Sequence, residues 1–186
     1  GLDIPISGVP EQVVTDAPPV SQVAVLTRDF DGLKARVLVE PGDMVQLGQP
    51  VLQHREHSAI RFVAPGSGRI EAVHRGDKRA LQSVVIALDA ESQRAVDFAS
   101  YTPSAHSDRA SAKALLLESG LWTALRTRPF SRIPSPDDTP RSIFVTAMDT
   151  QPLAVDVDVA LRGREAEFAR GLTVLRQLTD GPVFVC

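Results

Sequence analysis

The sequence predicts a mixed α+β protein: a small all-β module of the sandwich or barrel kind, followed by the beginning of an α/β module. Three observations predict it. Between residues 22 and 90, short β-branched runs alternate with Gly/Pro turns about every eight to twelve residues. Inside that region "EPGDMVQLGQPVL" is echoed by "HRGDKRALQSVVI", which aligns Gly42-Asp43 with Gly76-Asp77. Beyond residue 90 the apolar residues change from alternate spacing to a helical period.

Residues 1–20 carry Pro5, Gly8, Pro10, Pro18 and Pro19, a spacing that predicts an extended arm rather than a helix. "QVAVLT" (22–27) and "ARVLV" (35–39) read as strands. "EPGD" (40–43) has the chemistry of a tight turn, with glycine free to take a positive φ. "VLQHRE", "IRFVAP" and "GRIEAVHRG" each alternate as strands do, and "ALQSVVIALDA" (80–90) closes the module. "SDRASAKALLLESGLWTALRTR" (107–128) then predicts a helix, with Ala114, Leu117, Leu121 and Leu125 as its stripe. Ser107 or Asp108 would cap its start and Pro129 would end it. The proline-rich stretch 128–141 is a loop, "SIFVTAMDT" (142–150) a strand, and 159–181 a second helix with Leu161, Phe168, Leu172, Leu175 and Leu178 inward. "PVFVC" is a final strand, so strand, helix and strand make a βαβ unit with parallel, right-handed connection. The domain boundaries drawn from these patterns are 1–34 for the arm and first strands, 35–92 for the β module, and 93–186 for an α/β domain incomplete at its C-terminus. A chain that starts at Gly1 and stops on an apolar strand is expected to be a fragment of a longer one.

Composition narrows the function classes. With 43% hydrophobic and 23% charged residues, the chain has an ordinary globular make-up. Its net charge of −3 gives no argument for nucleic acid as a partner. The single cysteine, Cys186, excludes an internal disulfide and a cysteine-based cluster. No apolar run approaches the roughly 18–20 residues that a transmembrane helix needs.

The chemistry-bearing stretches each have a plain structural reading. "His54-x-x-His57" offers two imidazoles, but positions i and i+3 of a strand face opposite ways, and zinc needs further ligands. Arg126, Arg128 and Arg132, with Arg141 nearby, could hold a phosphate or dock on an anionic surface. Arginines at a helix C-terminus equally complement its dipole. Asp149, at the carboxyl end of a strand, could meet a cation or ribose, with Asp156 and Asp158 downstream; turn chemistry explains it as well. No GxGxxG, phosphate-binding GxxxxGK[ST] or Ser/His/Asp arrangement is present. No catalytic, cofactor-binding or metal-ligating residue is therefore assigned, and the three arginines remain the candidates for anion contact or docking.

"GDMVQLGQPVL" (42–52) and "APGSG" (64–68), together with the two-fold repeat, resemble the biotinyl/lipoyl barrel-sandwich domains, which carry their group on a hairpin lysine. Residues 53–60 read Gln, His, Arg, Glu, His, Ser, Ala, Ile and offer no lysine; Lys78 lies in the other half of the repeat. The fold expected is thus a biotinyl/lipoyl-like β barrel-sandwich followed by the start of a Rossmann-like α/β domain, with the barrel serving as a docking surface.

Longer stretches resemble a further family. "GLDIPISGVPEQ", "APGSGRIEAVHRGDKRALQSVVI", "LLLESGLWTALRTRPFSRIP" and "SIFVTAMDTQPLAVD" are similar to the A-type subunits of bacterial sodium-translocating NADH:quinone oxidoreductases, whose chains are much longer. The resemblance implies a peripheral subunit on the cytoplasmic face of the inner membrane, at the ubiquinone-reducing end of the pump, with the other subunits as partners. It places FMN, FAD, riboflavin, the Fe-S centre and the membrane helices on those other subunits, with ubiquinone as a contact of this one. Related flavin subunits have a glycine-rich "GxGGxGFPT"-like loop where this chain reads "LLESGLWTALRTRPF", keeping only Gly120 of the run. Glycines let backbone amides approach a flavin phosphate, so FMN or NADH binding is not carried over. Two other readings stay open: a carrier-like module, against which the missing lysine counts, and an independent flavin- or NADH-binding oxidoreductase, against which the missing glycines count.

Overall fold

The computed structural model describes residues 7–89, 94–98, 108–149 and 151–186. Ser107, the first six residues of the arm, Thr150 and the boundary drawn between 92 and 93 lie outside that set. By packing, the chain divides into two compact units: residues 19–138, and residues 139–186 with the arm up to residue 18. The packing division thus runs between 138 and 139, whereas the sequence boundary follows the change in apolar period.

In the first unit, strands β1 (Gln22–Leu26), β2 (Ala35–Val37), β3 (Met44–Val45), β4 (Pro50–His54), β5 (Arg61–Val63), β6 (Gly68–Arg75) and β7 (Leu81–Leu88) form two sheets. One has the order β1-β7-β6-β3 and the other β2-β4-β5, all neighbours antiparallel. Alternation explains which side chains go inside. Along β6, Gly68 and Ile70 are buried while Arg69 and Glu71 face out. The core between the strands holds Val51, Leu52, Ala64, Val84 and Ile86, all wholly buried. Burying each of the larger of these contributes about 1.5–3 kcal/mol. This is the expected barrel-sandwich. The two Gly-Asp pairs of the repeat both stand at turns, but with different backbones. Gly42 takes φ +103°, whereas in the second turn Lys78 and Arg79 carry the positive φ. Asp43 uses a carboxylate oxygen to accept from Glu40 N at 2.7 Å and so ties its turn shut.

The first predicted helix is shorter than its apolar period suggests. Helix α1 (Arg109–Glu118) starts at Asp108, whose side chain accepts from Ser111 N at 2.9 Å. It ends well before Pro129, because Gly120 turns left-handed at φ +76° and a 3-10 turn follows over Leu121–Ala124. Ala112, Leu116 and Trp122 are the buried side chains, while Ala114 and Leu121 of the predicted stripe are exposed. Ala114 is exposed because α1 buries the face of Ala112 and Leu116, and Leu121 because the chain changes axis at Gly120.

In the second unit, β8 (Ile143–Val145) pairs in parallel with β9 (Val183–Val185), as a βαβ unit requires. The connecting helix is divided into α2 (Val157–Leu161) and α3 (Glu165–Arg176), since Gly163 adopts φ +79° between them. Leu178 is buried and Phe168, Leu172 and Leu175 are half-buried, so the apolar face expected for the long helix survives on α3 and the turn after it. Residues 7–20 have neither helix nor strand. Gln12 of this arm uses its side-chain oxygen to accept from Asp156 N at 2.8 Å.

Candidate functional site

The β4–β5 hairpin is where a carrier domain would present its lysine. Its register is fixed by Leu52 opposite Phe62 and Gln53 opposite Arg61. The chain then leaves the strand, and the tip is built by His54. Its Nδ1 accepts from Glu56 N at 3.1 Å and from His57 N at 3.2 Å. Gln53 Nε2 donates to Ser58 O at 2.7 Å across the same turn. His54 and His57 therefore do not face opposite ways: the turn brings their rings to 5.4 Å. Strand geometry ends at His54, which is the reason for the difference. Nδ1 of His54 is occupied by backbone donors, and among the described residues there is no group of three metal-ligating side chains. The amine that does reach the tip is Lys34, whose Nζ lies 3.1 Å from Glu56 Oε1. An ammonium held by a carboxylate is a poor nucleophile for acylation. Lys78 stands in the β6–β7 turn, at another hairpin altogether.

A pH dependence follows from the His54 contacts. Burial, then the neighbouring His57, holds the His54 pKa below its ordinary value of 6.5. Folding thus favours the neutral ring, and the stabilisation is present above about pH 6.5 and lost as pH falls through the lowered folded value. Protonation at Nδ1 removes the acceptor for both backbone amides. Amide chemical shifts of Glu56 and His57 are expected to move together with the His54 ring in an NMR titration, and His54→Ala is expected to abolish that shared transition. Independent titration of the amides would contradict this.

The arginine-bearing stretch is built on the turn after α1. A Cβ on Gly120 would lie 2.8 and 2.9 Å from the two methyls of Val63 on β5, so only glycine lets the turn sit this close to the barrel. Trp122 is 4% exposed, and its Nε1 donates to Pro134 O at 3.0 Å. Arg61 of β5 lies 3.9 Å from Glu118. These contacts hold the segment against the barrel.

The three candidate arginines are not used alike. Arg126 Nη1 donates to Thr123 O and, at 2.9 Å, to Leu125 O, and its guanidinium lies 5.2 Å over Phe30. Phe30 in turn meets Phe62 edge-on at 4.7 Å. Arg126 closes the 3-10 turn and lies against the barrel. Arg128 and Arg132 belong to a small loop closed by Thr127 N to Arg132 O and Ser131 N to Thr127 O, both at 2.8 Å. Phe130 stands at its apex, 70% exposed, with the Arg132 guanidinium 5.9 Å over its ring. Sequence reasoning names the arginines but misses Phe130, whose signal is its place among prolines and arginines in a loop with no apolar period.

The downstream carboxylates have local partners. Asp149 Oδ1 accepts from Gln151 N at 2.9 Å, and Asp156 Oδ1 accepts from Asp158 N at 2.8 Å as the cap of α2. They shape turns, in keeping with turn chemistry. Two clefts lie on the first unit. One, of about 340 Å³, is lined by Met44, Gln49, Ser67, Asp89 and Arg94. The other, of about 660 Å³, has Leu26, Phe30 and Leu33 beside Thr27, Arg28, Asp31, Gln82 and Ser83. No described helix is long and apolar enough to cross a membrane.

Two domain models of one family match the chain. "NqrA N-terminal barrel-sandwich hybrid domain" matches residues 1–89, and "NqrA second alpha/beta domain" matches residues 107–186. Among curated proteins, the chain is 47% identical over 188 residues to the A-type subunit of the Na(+)-translocating NADH-quinone reductase of Serratia proteamaculans. It is 49% identical over 189 residues to that of Pseudomonas aeruginosa and 45% over 188 residues to that of Neisseria gonorrhoeae. In each case the whole of this chain is aligned, and it spans 41 or 42% of the relative's length.

Proposed function

From a chain that belongs to the NqrA family of Na(+)-translocating NADH-quinone reductase subunits, we propose a peripheral organising subunit of that sodium-pumping complex. In this reading it lies on the cytoplasmic face of the membrane, binds the other subunits, and contributes to the end of the complex that reduces ubiquinone. On this reading the segment needs neither a covalent group nor a flavin of its own. FMN, FAD, riboflavin and the Fe-S centre reside on partner subunits.

One observation carries this reading. At the turn after α1, where related flavin subunits have glycines, Trp122 fills the space and bonds to Pro134 O, while Gly120 packs on Val63. A flavin phosphate needs free backbone amides at such a turn, and here side chains take that room. The hairpin tip supports the same reading, since His54 and the Lys34–Glu56 pair occupy the place of a modifiable lysine. In the cleft where Leu26, Phe30 and Leu33 stand beside Thr27, Arg28, Asp31, Gln82 and Ser83, three apolar side chains and several polar groups could meet a quinone headgroup.

The test uses the intact complex. A photoreactive quinone is expected to label this polypeptide, and Phe30→Ala is expected to reduce labelling several-fold if this cleft holds the headgroup. The isolated full-length polypeptide is expected to show no flavin absorption and no added lipoyl or biotinyl mass. A flavin band or an added group would overturn the organising role; labelling confined to other subunits would overturn the quinone contact.

A further inference from the structure

We propose that the loop 127–132 is a membrane-contact element that inserts Phe130 among anionic phospholipid headgroups, with Arg128 and Arg132 on the phosphates. Residues 119–136 contain three arginines and no carboxylate, in a chain of net charge −3. Among the described residues, no carboxylate lies within 4.0 Å of Arg128 or Arg132. Two exposed guanidiniums, without a carboxylate partner among the described residues, sit beside a phenylalanine that is 70% exposed.

The loop is ordered before it meets anything. Thr127 N and Thr127 Oγ1 both donate to Arg132 O, at 2.8 and 3.1 Å, and Ser131 N donates to Thr127 O. Ser131 takes φ +52° to make the bend. No side chain of Arg128, Phe130 or Arg132 takes part in that closure, so all three are left to the outside. An apolar apex flanked by long basic side chains can enter the headgroup region while the charges remain at phosphate level. The rest of the chain is acidic and would be repelled by an anionic surface, which orients binding through this loop.

A protein partner fits these observations less well. A stable protein interface takes about 800 Å² from each side, whereas this is a short projection with a single aromatic tip. A soft lipid surface needs no complementary pocket. Lipid phosphates also accept lysine as readily as arginine when the contact is a point charge, while a bidentate carboxylate contact in a protein does not.

The experiment is flotation of the full-length polypeptide with phosphatidylglycerol-containing vesicles and with phosphatidylcholine vesicles. Binding is expected on the anionic vesicles alone and should fall as salt rises. Arg128→Gln and Arg132→Gln should each weaken it about fivefold, and Phe130→Ser by a similar factor. The Arg128→Lys/Arg132→Lys double variant should retain most of it. Thermal unfolding should be unchanged in all of them, because backbone and Thr127 bonds close the loop. Equal binding to neutral vesicles, or binding undiminished by the double glutamine variant, would overturn the proposal. A photo-crosslinker placed at Phe130 in the intact complex is expected to label lipid; labelling of an acidic polypeptide would assign the loop to a protein partner instead.

Discussion

Trp122→Ala is expected to destabilise the unit of residues 19–138 by about 3–5 kcal/mol, the usual cost of emptying a buried aromatic site. Trp122 is 4% exposed and stands where α1, the 3-10 turn and the loop to Pro134 meet. Truncation removes its apolar burial and also leaves the Pro134 carbonyl without its donor, a loss of about 1–3 kcal/mol on its own when the group stays buried. Domains of this kind are stable by only about 5–15 kcal/mol, so the variant should populate unfolded forms at moderate urea concentrations. Trp122→Phe is the milder change: a six-membered aromatic ring remains while the N–H and part of the indole volume are lost, and the expected cost is about 1–3 kcal/mol. Urea unfolding of both variants checks this. A loss below about 1 kcal/mol for the alanine variant, far under the buried-aromatic range, would mean that the turn after α1 is not packed as described.

The consequence reaches function through position. Trp122 fixes Pro134, and residues 127–132 lie between the two. A variant that frees this segment should lose the orientation of Phe130 even though no loop residue has changed. Vesicle binding by Trp122→Ala is therefore expected to weaken, whereas Trp122→Phe keeps it.

What is legible in the sequence, and what is not, has a physical pattern. Strands β5 and β6 can be read because burial falls on alternate residues, as in Gly68, Arg69, Ile70 and Glu71, while β4 and β7 are read from their apolar runs. The parallel pairing of β8 with β9 follows from the helical stretch between two apolar runs. The ends of the helices are not legible in the same way. Gly120 and Gly163 each adopt a left-handed conformation that stops a helix, yet glycine inside an apolar period is also tolerated without a break. Pro129, the stronger signal on paper, lies beyond the true end of α1. At the candidate site, arginine chemistry is visible and arginine use is not. Whether a guanidinium caps a turn, as Arg126 does, or has no carboxylate within 4.0 Å among the described residues, as with Arg128 and Arg132, depends on where the chain goes next. The nearness of His54 to His57 is likewise hidden, because it arises from the turn that His54 itself makes.

Gly181→Ala should produce the largest effect in the other unit. A Cβ at Gly181 would stand 1.9 Å from Arg141 O, and 3.0 Å from the carbon of the same carbonyl. That neighbour is backbone, not the end of a flexible side chain, so the clash cannot be relieved by a rotamer change. The site is also braced. Thr179 is buried, its Oγ1 donates to Pro140 O at 2.6 Å, and the same oxygen accepts from Gly181 N at 3.0 Å. Immediately beyond, Ile143 N donates to Pro182 O at 3.1 Å and begins the β8–β9 ladder. Moving Arg141 away from a new methyl would pull on each of these bonds in turn. A cost of about 3 kcal/mol, the upper end for overpacking, is expected. Hydrogen exchange at Ile143 and Cys186 should speed up together, since both amides donate within the displaced ladder. Thr179→Val, which keeps the shape but removes the hydroxyl, should cost about 1 kcal/mol by taking the partner from two half-buried groups, Pro140 O and Gly181 N. The two changes share partners, so the double variant should lose less than their sum. Strict additivity would show that Thr179 and Gly181 act separately, and that the turn into β9 is held by something other than the contact between Gly181 and Arg141.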